Sequence, residues 1–406
     1  MKMRKSSILW KSLQSFLGFA LIAVQSKFLS KEDLGVFAIA QSLIVIISLF
    51  DFGFGVRITN DIVDKVSSSD STFVSSRFVG ISVLLANSRQ IILLSFFQSV
   101  IFLSIFYILL SGINRPTDLT VYLVFFITIL LNSIGNFYGK LFIALGEINH
   151  LVRLQGIGAL IGFGLGTVSS FSRFNLLLSI FSLCLSSVFI GTFALRNSRI
   201  EDKNRLSHEL LSMSKEKLRK PATNAILQFS QIFQVMQPVI IQYFILDIFG
   251  VSILISFLVC QRLFNSIANI FGTDLQLNLS LRNQDKKIVL EDILRFKVHI
   301  LGFFWTGLFA SGSCFILWDI IFSKISKPGV FDLLSFVVVG VAALVDQSVR
   351  FRMYGLKDFA RETLGNVLFF MMIIVFGLII PFHHLFQFNL ALFLVYVSKF
   401  ILLFKA

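Results

Sequence analysis

Arg262 is the residue of this sequence most suited to binding a ligand by charge. It lies in ILISFLVCQRLFNSIANIFG, an apolar run, 12 residues after Gly250. That distance is ~18 Å along a helix, which places Arg262 near the midplane of a bilayer. Such an arginine must face a cavity or an anionic partner. Its planar fork of donors suits a phosphate or pyrophosphate, and an ion pair with Asp346 or Asp51 is the structural alternative.

Two predicted helices carry polar side chains at helical spacing. The steps are three, four or multiples of these, so each set shares one face. In hydrocarbon such a face must meet water or protein, so the stripes either line a hydrated cavity or form interhelical hydrogen bonds. Pro238 bends the second helix within its stripe. The stripes contain Ser7, Lys11, Gln14, Ser15, Gly18 and Gln25, and then Asn224, Gln228, Gln231, Gln234 and Gln242.

Four charged residues are candidates for gating or coupling. Asp346 and Arg350 are four residues apart and can pair on one helix face, as a structural bond or as a proton relay. Asp51 and Arg57 flank the glycines of LFDFGFGVRITND, where an apolar run ends. Glycine lets a helix end approach its neighbour closely. We expect Asp51 and Arg57 either to form contacts of a cytoplasmic gate or to anchor the helix end.

The sequence contains no recognisable catalytic set. It has no phosphate-cradling glycine loop, no nucleophile elbow and no His–Glu zinc motif, and its three cysteines lie far apart. We therefore predict a protein that is not an enzyme, with no catalytic residues, no cofactor and no metal site.

Lys27 and Lys140 lie near helix ends, where they can contact an anionic substrate or extend to the membrane surface. The predicted substrate-binding residues are Arg262, Lys27, Lys140, Gln14, Gln25, Gln228, Gln231 and Gln242.

The composition predicts that these residues sit within a membrane. Of 406 residues, 56% are hydrophobic and 14% are charged, whereas soluble domains carry about 25% charged residues. Apolar runs of about 20 residues alternate with short charged segments, as in polytopic helical membrane proteins. The net charge of +14 would suggest nucleic acid in a soluble protein. Here it is explained by membrane orientation, and we predict no nucleic-acid partner.

We predict an all-α polytopic protein with about 12 transmembrane helices. Six of the 36 basic residues fall on the predicted outer side, namely Lys27, Lys31, Arg115, Arg173, Lys324 and Lys327. This asymmetry predicts that both termini are cytoplasmic. The predicted helices are 6–29, 34–56, 88–112, 117–140, 150–171, 174–196, 222–246, 250–273, 298–322, 330–352, 360–381 and 385–404.

The two halves of the chain resemble each other. A shift of 215 residues aligns Gly35 with Gly250. A shift of 209 residues aligns the turns GEINHLVRLQG and GLKDFARETLG. We infer two six-helix bundles in parallel repeat around a central cavity, with domains 1–196 and 222–406. The linker 197–221 is either an amphipathic helix on the inner leaflet or a solvated segment.

LSKEDLGVF, at 29–37, leads into the predicted helix 2, and DFGFG, at 51–55, ends it. FIALGEIN, at 142–149, contains an Ala-Leu-Gly turn, and CQRLF, at 260–264, contains Gln-Arg-Leu in the predicted helix 8. These motifs resemble those of the Wzx-type O-antigen and polysaccharide flippases, in the polysaccharide-transporter branch of the MOP superfamily. The sharp motifs are confined to the first 60 residues and these turns.

The resemblance implies a function. Such a protein moves undecaprenyl-pyrophosphate-linked oligosaccharide, a repeat unit of O-antigen in lipopolysaccharide or of another surface polysaccharide, across the bacterial inner membrane. It does so by alternating access around a cationic cavity with a MATE-like fold. Its partners would be membrane lipids, a polysaccharide polymerase and a chain-length regulator, with proton or sodium coupling. The rivals are a MATE-like cation-coupled exporter of small molecules and a membrane-embedded glycan polymerase or acyltransferase.

Overall fold

The computed structural model describes residues 5–47, 54–68, 73–113, 118–198, 222–282, 290–322, 324–356 and 359–405. In this part of the chain every regular element is an α-helix. The helices are α1 (Lys5–Phe28), α2 (Lys31–Ile47), α3 (Phe54–Ser68), α4 (Phe73–Ala86), α5 (Ser88–Ser111), α6 (Leu119–Ala144), α7 (Ile148–Ser169), α8 (Asn175–Ser182), α9 (Leu185–Ser198), α10 (Ala222–Arg282), α11 (Leu290–Ile321), α12 (Val330–Leu356), α13 (Phe359–Ile379) and α14 (Leu385–Lys405). The predicted all-α class is confirmed.

Five of these helices contain a stretch long and apolar enough to cross a membrane. A sixth is added if α8 and α9, which meet at an angle of 46°, are counted as one broken span. The five stretches are Ser88–Ser111, Leu119–Ala144, Ile148–Ser169, Met236–Phe264 and Val298–Ile321. The chain therefore has a multi-pass membrane fold, and the count of 12 spans stays a prediction.

One predicted element differs from the described helices. The predicted helix 34–56 includes most of α2, residues 48–53, which lie outside the described part, and the first residues of α3. The predicted connection 57–87 contains most of α3 and all of α4. Its charges suggested a connecting segment, but its apolar residues follow the helical period. On α3 the buried side chains Phe54, Ile58 and Ile62 recur every four residues and join an apolar cluster with α4 and α6.

The contacts divide the chain into two compact units. The first contains residues 1–39, 112–114 and 232–406, and the second contains 40–111 and 115–231. Helix α1 thus groups with the C-terminal helices. The boundaries predicted from the sequence, 1–196, 197–221 and 222–406, stay a prediction.

Glycines allow close packing in the second unit, where α7 lies against α8 and α9. A Cβ atom built on Gly158 would lie 2.5 Å from Ser186 Cα, and one on Gly162 would lie 2.7 Å from the Ser182 carbonyl oxygen. These are backbone-to-backbone contacts, which only a missing side chain permits. The break between α8 and α9 falls at Leu183 and Cys184, opposite this glycine face. The predicted single helix 174–196 is therefore a bent pair.

The turn between α6 and α7 is held by an ion pair. Gly146 adopts φ +72°, a backbone conformation that glycine accepts without strain. The next residue, Glu147, accepts hydrogen bonds from Arg77 Nε at 2.7 Å and from Nη2 at 2.6 Å. This hydrogen bonding raises the pKa of the Arg77 guanidinium above its usual value. The turn of the FIALGEIN motif is thus bound to α4.

The first unit joins the end of α1 to the loop after α11. Lys324 Nζ donates to the carbonyl oxygens of Lys27 and Leu29, at 3.1 and 2.9 Å. These carbonyls lie at the end of α1 and just beyond it, where backbone acceptors lack helical partners. Helix α10 changes direction at Gly250, with φ 78° and ψ 176°. The two limbs of α10 correspond to the predicted helices 222–246 and 250–273.

Candidate functional site

Arg262 lies against the backbone of α1. A Cβ atom built on Gly18 would lie 2.8 Å from Arg262 Nη2, 3.3 Å from Nε and 3.5 Å from Cζ. The guanidinium therefore occupies the space that a side chain at position 18 would fill. Taken as a whole residue, Arg262 is partly exposed. The sequence placed Gly18 on the polar stripe of the predicted helix 6–29 and Arg262 in the apolar run of the predicted helix 250–273, and the structure brings them into contact.

A second cation lies on the same face of α1. Lys11 Nζ donates to Gln14 Oε1 at 3.2 Å, and positions 11, 14 and 18 share one helical face. Because Gln14 Oε1 accepts the hydrogen bond from Lys11, Nε2 is the end of the Gln14 amide that can donate to another group. Along this face of α1 lie the ammonium of Lys11, the amide of Gln14 and, next to Gly18, the guanidinium of Arg262. Such a set favours a multiply charged anion over a cation.

Two glutamines of the predicted site are enclosed. Gln25 on α1 and Gln242 on α10 both have 0% exposed surface. In this conformation neither lines a solvent-accessible surface, whereas Gln14 on the same stripe is partly exposed. Their role as substrate-binding residues stays a prediction. Gln228 and Gln231 lie in α10, with side chains outside the described part.

The remaining predicted cations lie apart from Gly18 along the chain. Lys27 is exposed in the last turn of α1, and its backbone carbonyl is bound by Lys324. Lys140 is partly buried on α6 and belongs to the second unit. Both positions are compatible with either of the roles predicted for them.

Of the predicted gating residues, Arg57 is described in full. Its Nε lies 4.0 Å from Asp61 Oδ2, one turn later on α3, and its Cζ lies 6.0 Å from the centre of the Phe54 ring. Both contacts are local, since all three residues lie in the first turns of α3. Asp51 lies outside the described residues, as do the side chains of Asp346 and Arg350. The gating and coupling roles stay predictions.

Sequence reasoning missed a buried lysine in the first unit. Lys399 on α14 is 2% exposed, and its Nζ donates to Asn366 Oδ1 on α13 at 2.8 Å. The ammonium lies 5.6 Å from the centre of the Phe369 ring. Gln237 Nε2 on α10 donates to the Asn366 backbone carbonyl at 3.3 Å. The available signal was a lysine within the apolar run of the last helix.

A polar seam in the second unit was also missed. Ser133 on α6 donates to Gln98 on α5, and Ser187 on α9 donates to Asn132 Oδ1 at 2.5 Å. Asn132 Nδ2 in turn donates to the Ile44 carbonyl on α2 at 3.4 Å. These buried bonds connect four helices within one unit. Their partners are protein groups, so we assign the seam a structural role.

Solved structures that superpose on this chain include membrane transporters. No protein-family model and no curated protein sequence matches the chain. An inward-facing multidrug resistance MATE family transporter of the MOP superfamily superposes with a TM-score of 0.61 at 11% identity, covering 97% of this chain and 93% of the other. A MATE structure in the bent conformation gives a TM-score of 0.54 at 11% identity, covering 99% and 92%.

A lipid flippase shares the same architecture. The lipid II flippase MurJ, in an inward closed conformation, superposes with a TM-score of 0.56 at 12% identity, covering 98% of this chain and 86% of MurJ. At such identities the likeness establishes the fold. The predicted MATE/MOP-like fold is confirmed, and these neighbours are transporters and flippases rather than enzymes.

Proposed function

We propose that this protein is a flippase for undecaprenyl-pyrophosphate-linked oligosaccharide, the repeat unit of O-antigen or another surface polysaccharide. The observation that carries the proposal is the donor set of Arg262, Lys11 and Gln14 on a fold shared with a lipid II flippase. A pyrophosphate carries several oxygen acceptors, which guanidinium and ammonium groups bind strongly. Neutral drug-like substrates would gain little from these cations.

The polar and apolar parts of the substrate would lie in different surroundings, the first in the protein and the second in the bilayer. The oligosaccharide requires polar, hydrated surroundings, which partly exposed amides such as Gln14 can supply. The polyprenyl chain can remain in the lipid while its headgroup crosses. We assign the protein to the bacterial inner membrane with cytoplasmic termini. Membrane lipids, a polymerase and a chain-length regulator are its proposed partners.

A cation-coupled exporter of small molecules is the second candidate. The likeness to the inward-facing MATE transporter, over nearly the whole of both chains, favours it. Coupling by protons or sodium would require a carboxylate within the membrane, and Asp51 and Asp346 are the candidates. Under this alternative, loss of Arg262 would alter substrate preference while surface polysaccharide remained normal.

Complementation tests the flippase proposal. We expect deletion of the gene to abolish surface polysaccharide and to accumulate complete, unpolymerised lipid-linked repeat units facing the cytoplasm. Wild-type protein should restore the polysaccharide, and Arg262→Ala should not, because the pyrophosphate would lose its main cation. The control is Lys327→Ala, which removes one positive charge from the loop after α11, where Lys327 pairs with the exposed Asp319.

Three results would each contradict a part of the proposal. Normal polysaccharide in the deletion strain, with altered sensitivity to cationic drugs, would favour the exporter. Full complementation by Arg262→Ala at wild-type expression would exclude Arg262 as the pyrophosphate ligand. Consumption of a polyprenyl-linked substrate by the purified protein would instead support an enzyme.

A further inference from the structure

The contact between α1 and Arg262 requires a residue without a side chain at position 18. The distance of 2.8 Å from a Gly18 Cβ to Arg262 Nη2 is shorter than an alanine would tolerate without displacing the guanidinium. The contact is made by the end of a flexible side chain rather than by backbone. An alanine can therefore be accommodated in α1, but only by moving the guanidinium.

The order of the three distances fixes which edge of the guanidinium faces α1. Nη2 and Nε are the nearest nitrogens, at 2.8 and 3.3 Å. These two atoms form the side edge of the planar group, so this edge is turned toward Gly18. Nη1 is bonded to Cζ on the opposite side and is turned away from α1. Nη1 is thus the guanidinium nitrogen farthest from Gly18.

We propose that Gly18 is a positioning residue, which holds Arg262 against α1 so that Nη1 meets an oxygen of the pyrophosphate. This inference rests on the proposed function and deepens it by assigning the orientation of the ligand contact. An arginine side chain loses considerable rotamer freedom when it binds a ligand. Packing the guanidinium against bare backbone restricts that freedom beforehand, which increases affinity without adding a contact.

Binding of farnesyl pyrophosphate to the purified protein tests this role. We expect Gly18→Ala to weaken binding about tenfold, because the displaced guanidinium no longer presents Nη1 correctly. The thermal stability of the ligand-free protein should be unchanged, since alanine is a good helix former. The control is Gly312→Ala on α11, where the described part of the chain places no atom of a neighbouring element within 4 Å of the new Cβ. It should bind as the wild type does.

A double-mutant comparison separates positioning from a general structural effect. In an Arg262→Ala background there is no guanidinium to displace, so we expect Gly18→Ala to cause no further loss of affinity. An additional loss in that background would overturn the proposal, as would wild-type binding by Gly18→Ala. Gly18→Ser provides a second variant, which should weaken binding at least as much as alanine.

The outcome can be distinguished from failure of the proposed function. If Gly18 and Arg262 are coupled in farnesyl pyrophosphate binding but the deletion strain makes normal polysaccharide, the pyrophosphate site stands and the flippase assignment falls. If polysaccharide is lost on deletion but Gly18→Ala binds normally, the flippase assignment stands and the positioning role falls.

Discussion

Two ion pairs of this protein have similar lengths but different surroundings. Arg77 and Glu147 are joined by two hydrogen bonds, and the Glu147 side chain is 10% exposed. Lys327 and Asp319 lie 3.0 Å apart, and the Asp319 side chain is 72% exposed. Water screens the second pair and offers alternative partners, so the two pairs should contribute very differently to stability.

We expect Glu147→Gln to destabilise the protein by about 1–3 kcal/mol, since Arg77 would lose its charged, bidentate partner. Asp319→Asn makes the matching change at the exposed pair and should cost less than about 1 kcal/mol. Thermal unfolding of both variants in detergent measures the difference. Equal melting temperatures would show that the Arg77 pair contributes no more than a surface contact.

At the scale of residues, sequence identified the types of the chemical groups but not their tertiary partners. Arg262 was identified because an arginine within the membrane must face a cavity or an anionic partner. Its contact with Gly18 depends on the packing of α1 against α10, which helical spacing cannot reveal. Lys399 was missed because it lies near the end of α14, where a lysine ordinarily extends to the membrane surface. The bond from Lys399 to Asn366 is seen only in the structure, where the lysine is buried.

Helix α7 shows how one element uses glycine for packing. Its glycines differ in what surrounds them. A Cβ atom added to Gly158 meets the backbone of α9, whereas one added to Gly164 has no atom of another described element within 4 Å. The same substitution at these two sites therefore isolates the effect of the interface. A sequence of regularly spaced glycines does not by itself reveal which ones face a neighbour.

We expect Gly158→Ala to destabilise the protein by about 1–3 kcal/mol, because the added methyl group would push α7 away from α9. Gly164→Ala should be neutral or stabilising by up to about 1 kcal/mol, since alanine favours the helix. Melting temperatures in detergent check both values. Destabilisation by both variants alike would place the cause in α7 itself rather than in its contact with α9.

Element type was more predictable than element boundaries. Long apolar runs predicted α5, α6 and α7 within a few residues, because hydrocarbon requires helical hydrogen bonding. The pattern failed at α3, where charges on one side concealed a helical period, and at the break between α8 and α9. Both departures are set by neighbours: α3 is amphipathic against the core of the second unit, and α8 and α9 follow the glycine face of α7.

For the whole molecule, the distribution of basic residues predicts orientation. Basic residues are retained on the cytoplasmic side during insertion. We expect a fluorescent protein fused after residue 406 to fluoresce, because it would fold in the cytoplasm. Alkaline phosphatase fused after residue 173 should be active, because that predicted outer loop would reach the periplasm.

The same pair of reporters provides the control. Exchanging the two fusions between residues 406 and 173 should abolish both signals, with the fused proteins still present in the membrane. Phosphatase activity at residue 406 would place the C-terminus outside and contradict the predicted topology.

The contact of α7 with α8 and α9 has a consequence for how such sequences can drift. Where main chain touches main chain, the requirement is for smallness rather than for a particular functional group. On lipid-facing surfaces almost any apolar residue serves equally well. In a chain packed in this way, most residues can be substituted while the helix axes keep their positions. That would account for superposition over nearly the full length of a distant transporter at 11% identity.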